Sequence, residues 1–135
     1  MQKRRTKRGL ALFCSVALLT AGCTDAGTGV DADLTGTWVG AFPTSGELRL
    51  ILQHAGPSIG GVGIIQDALG TGSLQVSGSW VDAELDLTLE LAPRQQDPEP
   101  CQAGFTGQLV TPDRLRGRFT DCDTQVDMSL TRDPN

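Results

Sequence analysis

The sequence contains no tyrosine, and its two lysines, Lys3 and Lys7, both lie close to its start. Because five of the eleven basic residues fall within residues 1–8, residues 23–135 carry six arginines against sixteen carboxylates and a net charge of −10. A surface of that sign repels nucleic acid and anionic lipid headgroups. We therefore expect neither of these as a partner.

Histidine is almost absent as well, and this limits the chemistry that the chain can perform. His54 is the only histidine, and it has no cysteine nucleophile to serve. Ser45 or Ser58 could be combined with an aspartate, but nothing in the spacing selects such a catalytic set. We predict that the protein is not an enzyme, that it needs no cofactor, and that His54 lies in a solvated turn.

The chain begins with a basic cluster and continues with an apolar run from Gly9 to Leu19. A basic head, an apolar segment and small residues after it are typical of a secretory signal peptide. The apolar run is too short for a permanent membrane helix, which needs about 20 residues. We predict a signal peptide over residues 1–22, a flexible tether over 23–33 and one domain over 34–135.

The segment Thr20-Ala21-Gly22-Cys23 resembles the lipobox of bacterial lipoproteins, with Thr20 in place of the usual leucine. The resemblance implies that Cys23 is acylated, for example with palmitate, and becomes the mature N-terminus. Acyl chains would then attach the protein to a membrane of the bacterial cell envelope. Thr24 after the cysteine favours the outer membrane if the host has two membranes. The alternative is an ordinary secreted protein in which Cys23 is a free thiol or a disulfide partner.

From Leu34 onward, apolar and polar residues alternate, and no stretch has a convincing helical period. Strands with one dry and one wet face need this period of two. Short connections favour antiparallel neighbours. We predict eight strands whose inward residues are, in order, Trp38, Gly40 and Phe42; Leu48, Leu50 and Leu52; Val62 and Ile64; Leu74, Val76, Gly78 and Trp80; Ala83, Leu85, Leu87, Leu89 and Leu91; Phe105, Gly107 and Leu109; Leu115, Gly117 and Phe119; and Val126, Met128 and Leu130.

The connection at Val81-Asp82 predicts how two of these strands are aligned. A two-residue turn there would pair Trp80 with Ala83 and Gly78 with Leu85, with all four residues on one face. A slip by one residue would expose every leucine of the second strand to water. We therefore expect the inward and outward faces of this hairpin to be strongly specified.

Pro112 predicts a second turn, because its ring fixes the backbone angle that a turn needs. That turn would pair Phe105 with Phe119 and, further along the ladder, bring Cys101 close to Cys122. An even pair of cysteines in an exported domain favours a disulfide. The bridge would contribute about 3 kcal/mol to stability in the chain-entropy model.

The disulfide would also gather acidic residues from two connections at one end of the fold. These residues are Asp97, Glu99, Asp121 and Asp123. Carboxylate oxygens are the ligands that Ca²⁺ prefers. No loop has the ligand spacing of a calcium site, however, so we predict no metal.

Eight up-and-down strands with one apolar face are expected to close into a barrel, which hides that face and leaves no unpaired edge. An open meander or a two-sheet sandwich is the structural alternative. The segment LTGTWVG, residues 34–40, resembles the first strand of lipocalins and of the avidin group, with Gly36 and Trp38 at the Gly-x-Trp positions. The resemblance implies an all-β, lipocalin-like barrel closed at one end by Trp38, with Arg132 or Arg118 packed across the ring.

The avidin group holds biotin with a tyrosine, polar side chains and several tryptophans, so we expect no biotin site in this chain. Its aliphatic inward face favours an apolar ligand instead, such as an acyl chain, a lipid or a hydrophobic small molecule. The expected lining of such a cavity is Trp38, Phe42, Trp80, Leu87, Leu89, Phe105, Phe119 and Met128.

An eight-stranded barrel is also narrow enough to be filled by its own side chains. The alternative function is therefore an interaction or scaffold module that works through its loops and its acidic outer surface. The longest irregular segment, residues 92–104, contains three prolines. A loop of that length beside a barrel mouth is expected to be a lid or a docking surface for an unknown protein partner.

Overall fold

A computed structural model describes residues 32–122 and 124–134. Within them, eight antiparallel strands follow one another around a closed barrel, and the last strand pairs with the first. The strands are β1 (Gly36–Ala41), β2 (Glu47–Ala55), β3 (Ser58–Asp67), β4 (Gly70–Val81), β5 (Glu84–Leu91), β6 (Ala103–Thr111), β7 (Arg114–Asp121) and β8 (Thr124–Asp133). The predicted all-β class, up-and-down order and barrel closure are confirmed. The predicted signal peptide, Cys23 and the tether as far as residue 31 lie outside the described residues.

Every strand has both of its neighbours within the described chain. Closing the sheet pairs the main-chain groups that edge strands would otherwise leave open. The described barrel therefore has no open sheet edge. No helix in residues 32–122 and 124–134 is long and apolar enough to cross a membrane.

The barrel has two distinct ends, because consecutive antiparallel connections alternate between them. One end, which we call the closed end, holds both termini of the described chain and the turns at 56–57, 82–83 and 112–113. The opposite end, which we call the mouth, holds the connections 42–46, 68–69 and 92–102 together with the link between β7 and β8.

Apolar side chains fill the barrel interior. The buried core consists of Leu34, Trp38, Leu48, Leu50, Leu52, Ile59, Ile65, Leu74, Val76, Trp80, Leu85, Leu87, Leu89, Phe105, Leu115, Phe119, Met128 and Leu130. In the described chain, no polar or charged residue belongs to this core. The inward face predicted from the period of two is confirmed on every strand except β3.

The predicted inward face of β3 is wrong. Val62 and Ile64 are each 45% exposed, whereas Ile59 is buried and Gly61 lies on the same inward face. Gly61 has a φ of +151°, and a Cβ atom there would overlap the main-chain oxygen of Ile51. Only glycine fits so close an approach of β3 to β2. The residues of β3 that face inward thus include a glycine in close contact with the β2 backbone. A search for alternating large apolar residues does not find such a position.

The β4–β5 hairpin has the predicted faces but a different register. Trp80 pairs with Leu85 rather than with Ala83, and this shift of two residues keeps the strand side chains on their expected faces. Ala83, which was predicted to face inward, instead lies exposed in the turn. The turn is formed by Asp82 and Ala83, whose φ angles are +54° and +65°. Two positive φ angles in a two-residue turn match the twist of the flanking strands. The turn therefore lies one residue later than predicted.

The β6–β7 hairpin has the predicted register, with Phe105 opposite Phe119 across the turn that contains Pro112. The ladder stops just before the two cysteines. Cys101 and Cys122 form a disulfide with their Cα atoms 5.5 Å apart, so this prediction is confirmed. The bridge ties the end of the connection 92–102 to the link between β7 and β8.

Candidate functional site

The closed end is plugged by Trp38, which is completely buried. Its Nε1 donates a hydrogen bond of 2.9 Å to the carbonyl oxygen of Leu34. The guanidinium of Arg132 lies 4.4 Å from the centre of the Trp38 ring and donates to the Thr35 carbonyl at 2.7 Å. Arg132 is thus the cation–π partner that the lipocalin resemblance implied, whereas Arg118 lies on the outside and is 55% exposed. Nothing can enter the barrel from this side.

His54 also belongs to the closed end, and the prediction of a solvated turn residue is wrong. Its side chain is 8% exposed. Nδ1 accepts a hydrogen bond of 3.2 Å from the Leu34 amide, which leaves Nε2 as the donor to the Gly56 carbonyl at 2.8 Å. The ring also meets the edge of Trp80, with the centroids 6.5 Å apart. His54 therefore links the segment before β1, at Leu34, to the β2–β3 turn at Gly56. Both ring nitrogens have hydrogen-bond partners.

The mouth contains a cavity of about 420 Å³ between the connection 42–46, β3 with the turn that follows it, β7 and β8. We call this cavity the cup. Its apolar lining is Phe42, Pro43, Ile65, Ala68, Leu69, Phe119 and Val126, and its polar lining is Thr44, Ser45, Asp67, Asp121 and Thr124. The rings of Phe42 and Phe119 meet edge to face with their centroids 5.2 Å apart. The cup thus has aromatic and aliphatic walls with polar groups among them.

Two of the eight residues predicted to line a ligand cavity, Phe42 and Phe119, line the cup. The other six, namely Trp38, Trp80, Leu87, Leu89, Phe105 and Met128, pack inside the barrel. The barrel is therefore filled by its own side chains below the cup. Ile65 and Leu69 also line the cup but were not predicted to do so. The face of β3 that carries Ile65 was assigned incorrectly, and Leu69 lies in a turn.

Arg94 reaches back from the connection 92–102 and binds Asp67 at the mouth. Its Nη1 and Nη2 donate to the two carboxylate oxygens of Asp67 at 2.8 and 3.2 Å, and Nη1 also donates to the Gly70 carbonyl at 3.0 Å. A second carboxylate, that of Asp97, lies 3.8 Å from Nη2. The Arg94 side chain is only 7% exposed. This two-pronged pair holds the connection 92–102 against β3 and β4.

The ionisation of Asp67 follows from its contacts. Burial by itself would raise the pKa of the carboxyl group. The hydrogen bonds from Arg94 and from the Leu69 amide, together with the guanidinium charge, outweigh burial and hold the pKa below its ordinary value of 3.8. Asp67 is therefore an anion at neutral pH. The sequence offered no signal for this pair, because the two residues are 27 positions apart.

The predicted gathering of acidic residues near the disulfide does not amount to a metal site among the described residues. Cys101, Cys122 and Asp121 place ligand-type atoms within 4.8 Å of one another, but the two sulfurs are bonded to each other and offer no thiolate. Asp97 is engaged by Arg94. Glu99 is exposed and is not part of this group, and Asp123 lies outside the described residues.

No protein-family model matches the sequence, and no curated protein matches it. Among solved structures, the chain is similar to a de novo designed fluorescence-activating β-barrel, with a TM-score of 0.58 and 20% sequence identity. The alignment covers 77% of this chain and 99% of the designed chain. At that identity the similarity shows the fold alone, and it agrees with the closed eight-stranded barrel.

Proposed function

We propose that this protein is a lipid-anchored component of a bacterial cell envelope whose barrel binds an apolar or amphipathic small molecule without catalysis. The observation that carries the binding proposal is the cup. Its volume of about 420 Å³ lies in the range of about 300–1,000 Å³ that is usual for small-molecule sites. Its mixture of apolar walls and a few polar groups is also typical of such sites.

The ligand is expected at the mouth and not in the barrel centre. The centre is filled and the closed end is plugged by Trp38. The accessible apolar surface of the cup comes from the half-buried Phe42 and Val126 and the exposed Leu69. Covering such a surface releases water and stabilises a complex. The similar designed barrel is described as fluorescence-activating, and this makes a fluorogenic dye a suitable first probe.

A tryptophan at position 126 is expected to block the cup. Val126 lines it from β8, so the larger ring of Val126→Trp would occupy the space that a ligand needs. Titration of the barrel with the neutral dye Nile red should give a fluorescence increase with the native sequence. The Kd should rise by about tenfold or more in the variant, a change of about 1.4 kcal/mol or more.

The matched control is Val110→Trp, which adds the same side chain to an exposed valine of β6. This position does not line the cup, so the dye affinity should stay unchanged. Circular dichroism would verify that both variants fold. Equal binding by both variants and the native protein would place the dye outside the cup, and a complete absence of dye binding would contradict the binding proposal.

The alternative function is an interaction module that acts through its loops and acidic surface. The observation that favours it is the fastening of the connection 92–102 by the disulfide and by Arg94, because a rigid loop makes a better docking surface than a mobile one. If neither dyes nor lipids bind in the cup, a pull-down can compare the intact protein with a variant in which the exposed Gln95 and Gln96 are both replaced by alanine. A partner that docks on the connection 92–102 should be retained by the intact protein and lost with the variant.

The lipid anchor rests on the resemblance of residues 20–23 to a lipobox. Expression of the full-length chain in a bacterium fed an alkyne-labelled fatty acid should label the protein and place it in the membrane fraction. Cys23→Ser should abolish the label and release the protein or leave it unprocessed. Labelling that persists in Cys23→Ser would contradict acylation at this residue.

A further inference from the structure

The charged groups at the mouth are mostly acidic, and two of them, Asp67 and Asp121, line the cup itself. The cup is thus an apolar cavity with carboxylates in its wall. Oδ1 of Asp121 accepts a hydrogen bond of 2.6 Å from the Cys122 amide. Among the described residues, Asp121 has no cationic group within ion-pair distance. Its negative charge is therefore available to a ligand.

Arg94 is the one described cation at the mouth, and it is already engaged. Its side chain is 7% exposed, and its guanidinium is bound by Asp67 and approached by Asp97. Arg94 is also not among the residues that line the cup. A carboxylate or phosphate headgroup would have to displace Asp67 in order to reach it. Breaking a buried, two-pronged ion pair is costly.

The other described arginines lie at the closed end or on the outside of the barrel. Arg132 covers Trp38 at the closed end. Arg49 is paired with Asp133 across the outside of β1, and β7 carries the remaining three outside the barrel. Residues 23–135 have a net charge of −10. The cup is lined by two carboxylates and no cation, and a cleft lined by charges of one sign concentrates the potential of the molecule at its opening.

We propose that the cup prefers amphipathic molecules with a cationic headgroup, such as alkylamines and quaternary ammonium compounds, over fatty acids and other anionic lipids. This inference rests on the proposed binding function and adds the ligand class. The apolar part packs against Phe42, Leu69 and Val126, while the cationic group lies beside Asp121. A carboxylate headgroup in the same position meets like charge.

The test uses probes that differ only in the headgroup: decyltrimethylammonium, decanol and decanoate, each below its micelle concentration. The barrel is the chain from Thr24 onward, purified with its disulfide formed, and binding is measured by calorimetry and by displacement of Nile red. The expected order of affinity is cationic, neutral, anionic, with about a tenfold or greater difference between the two charged probes at low salt. Raising the ionic strength from about 20 mM to about 500 mM should reduce that difference.

Asp121→Asn keeps the shape of the side chain and its acceptor for the Cys122 amide but removes the charge. It should weaken decyltrimethylammonium binding several-fold and leave decanol binding unchanged. Asp86→Asn is the matched control, because Asp86 is exposed on the outside of β5 and does not line the cup, and its loss changes the net charge equally. Both substitutions are at exposed positions, so the fold should be retained.

Each other outcome overturns the inference in a distinguishable way. Equal affinities for the three probes, with Val126→Trp blocking all of them, would remove the headgroup preference and leave the binding function intact. A preference for decanoate would show that Arg94 leaves Asp67 to bind anions. Equal losses in Asp121→Asn and Asp86→Asn would assign the preference to net charge alone. An absence of binding by every probe and by the dye would overturn the binding function and this inference together.

Discussion

Replacement of Trp38 by alanine is expected to lower the free energy of unfolding by about 3–5 kcal/mol. Trp38 is completely buried, and the strands around it are each paired on both sides, so the walls have little freedom to collapse into the space. The same change removes the ring beneath the Arg132 guanidinium and the donor to Leu34. Urea denaturation followed by far-ultraviolet circular dichroism measures the loss.

Two further variants separate the contributions at this position. Trp38→Phe retains an aromatic ring and loses the indole donor, so it should cost less than the alanine change. Val110→Ala truncates a half-exposed side chain and should change stability by no more than about 0.5 kcal/mol. If Trp38→Ala cost under about 1 kcal/mol, the barrel would not depend on this residue to plug its closed end.

Removal of the Cys101–Cys122 disulfide is expected to lower the free energy of unfolding by about 3 kcal/mol. The two cysteines are 21 positions apart, and the bridge restricts the loop between them in the unfolded chain. The comparison is between the oxidised protein and the variant with both cysteines replaced by serine, each produced from Thr24 onward. The difference appears as a lower urea midpoint, and the slope should rise because the unbridged unfolded chain exposes more surface.

A reduced native protein is the control for the serine substitutions, since reduction breaks the bridge without changing a side chain. It should unfold at nearly the same urea concentration as the double-serine variant. Binding of Nile red in the cup should persist in both below the unfolding transition, because Arg94 still holds the connection 92–102. An oxidised protein no more stable than the reduced one would show that the bridge adds nothing to the barrel.

The sequence predicted the barrel well because its dominant signal has the same period as a strand. In the β4–β5 hairpin even an incorrect register left Trp80 and Leu85 on the right face, since the error was a whole period. In the β6–β7 hairpin Pro112 fixed the turn, and the pairing of Phe105 with Phe119 was correct. Turn chemistry therefore decided whether the alignment of neighbouring strands could be predicted.

The cup could not be predicted in the same way. The position of β3 depends on a close backbone approach at Gly61, and hydrophobicity favours Val62 and Ile64 instead. The ion pair of Arg94 with Asp67 joins a loop to a distant strand. At the closed end, the partner of His54 is likewise distant in sequence, because its Nδ1 accepts a hydrogen bond from the Leu34 amide. All three features depend on tertiary contacts between residues far apart in sequence, for which a periodic pattern carries no information.

The chain enters and leaves the barrel at the closed end, so Ala32 and Pro134 both lie opposite the mouth. About nine residues separate Ala32 from the proposed anchor at Cys23, a reach of about 30 Å when extended. In an anchored barrel the plugged base would be the end nearest the attachment point, and the mouth would be the end farthest from it. For the mouth to reach the supporting leaflet, the tether would have to fold back along the barrel, which favours collection of a ligand from the aqueous compartment.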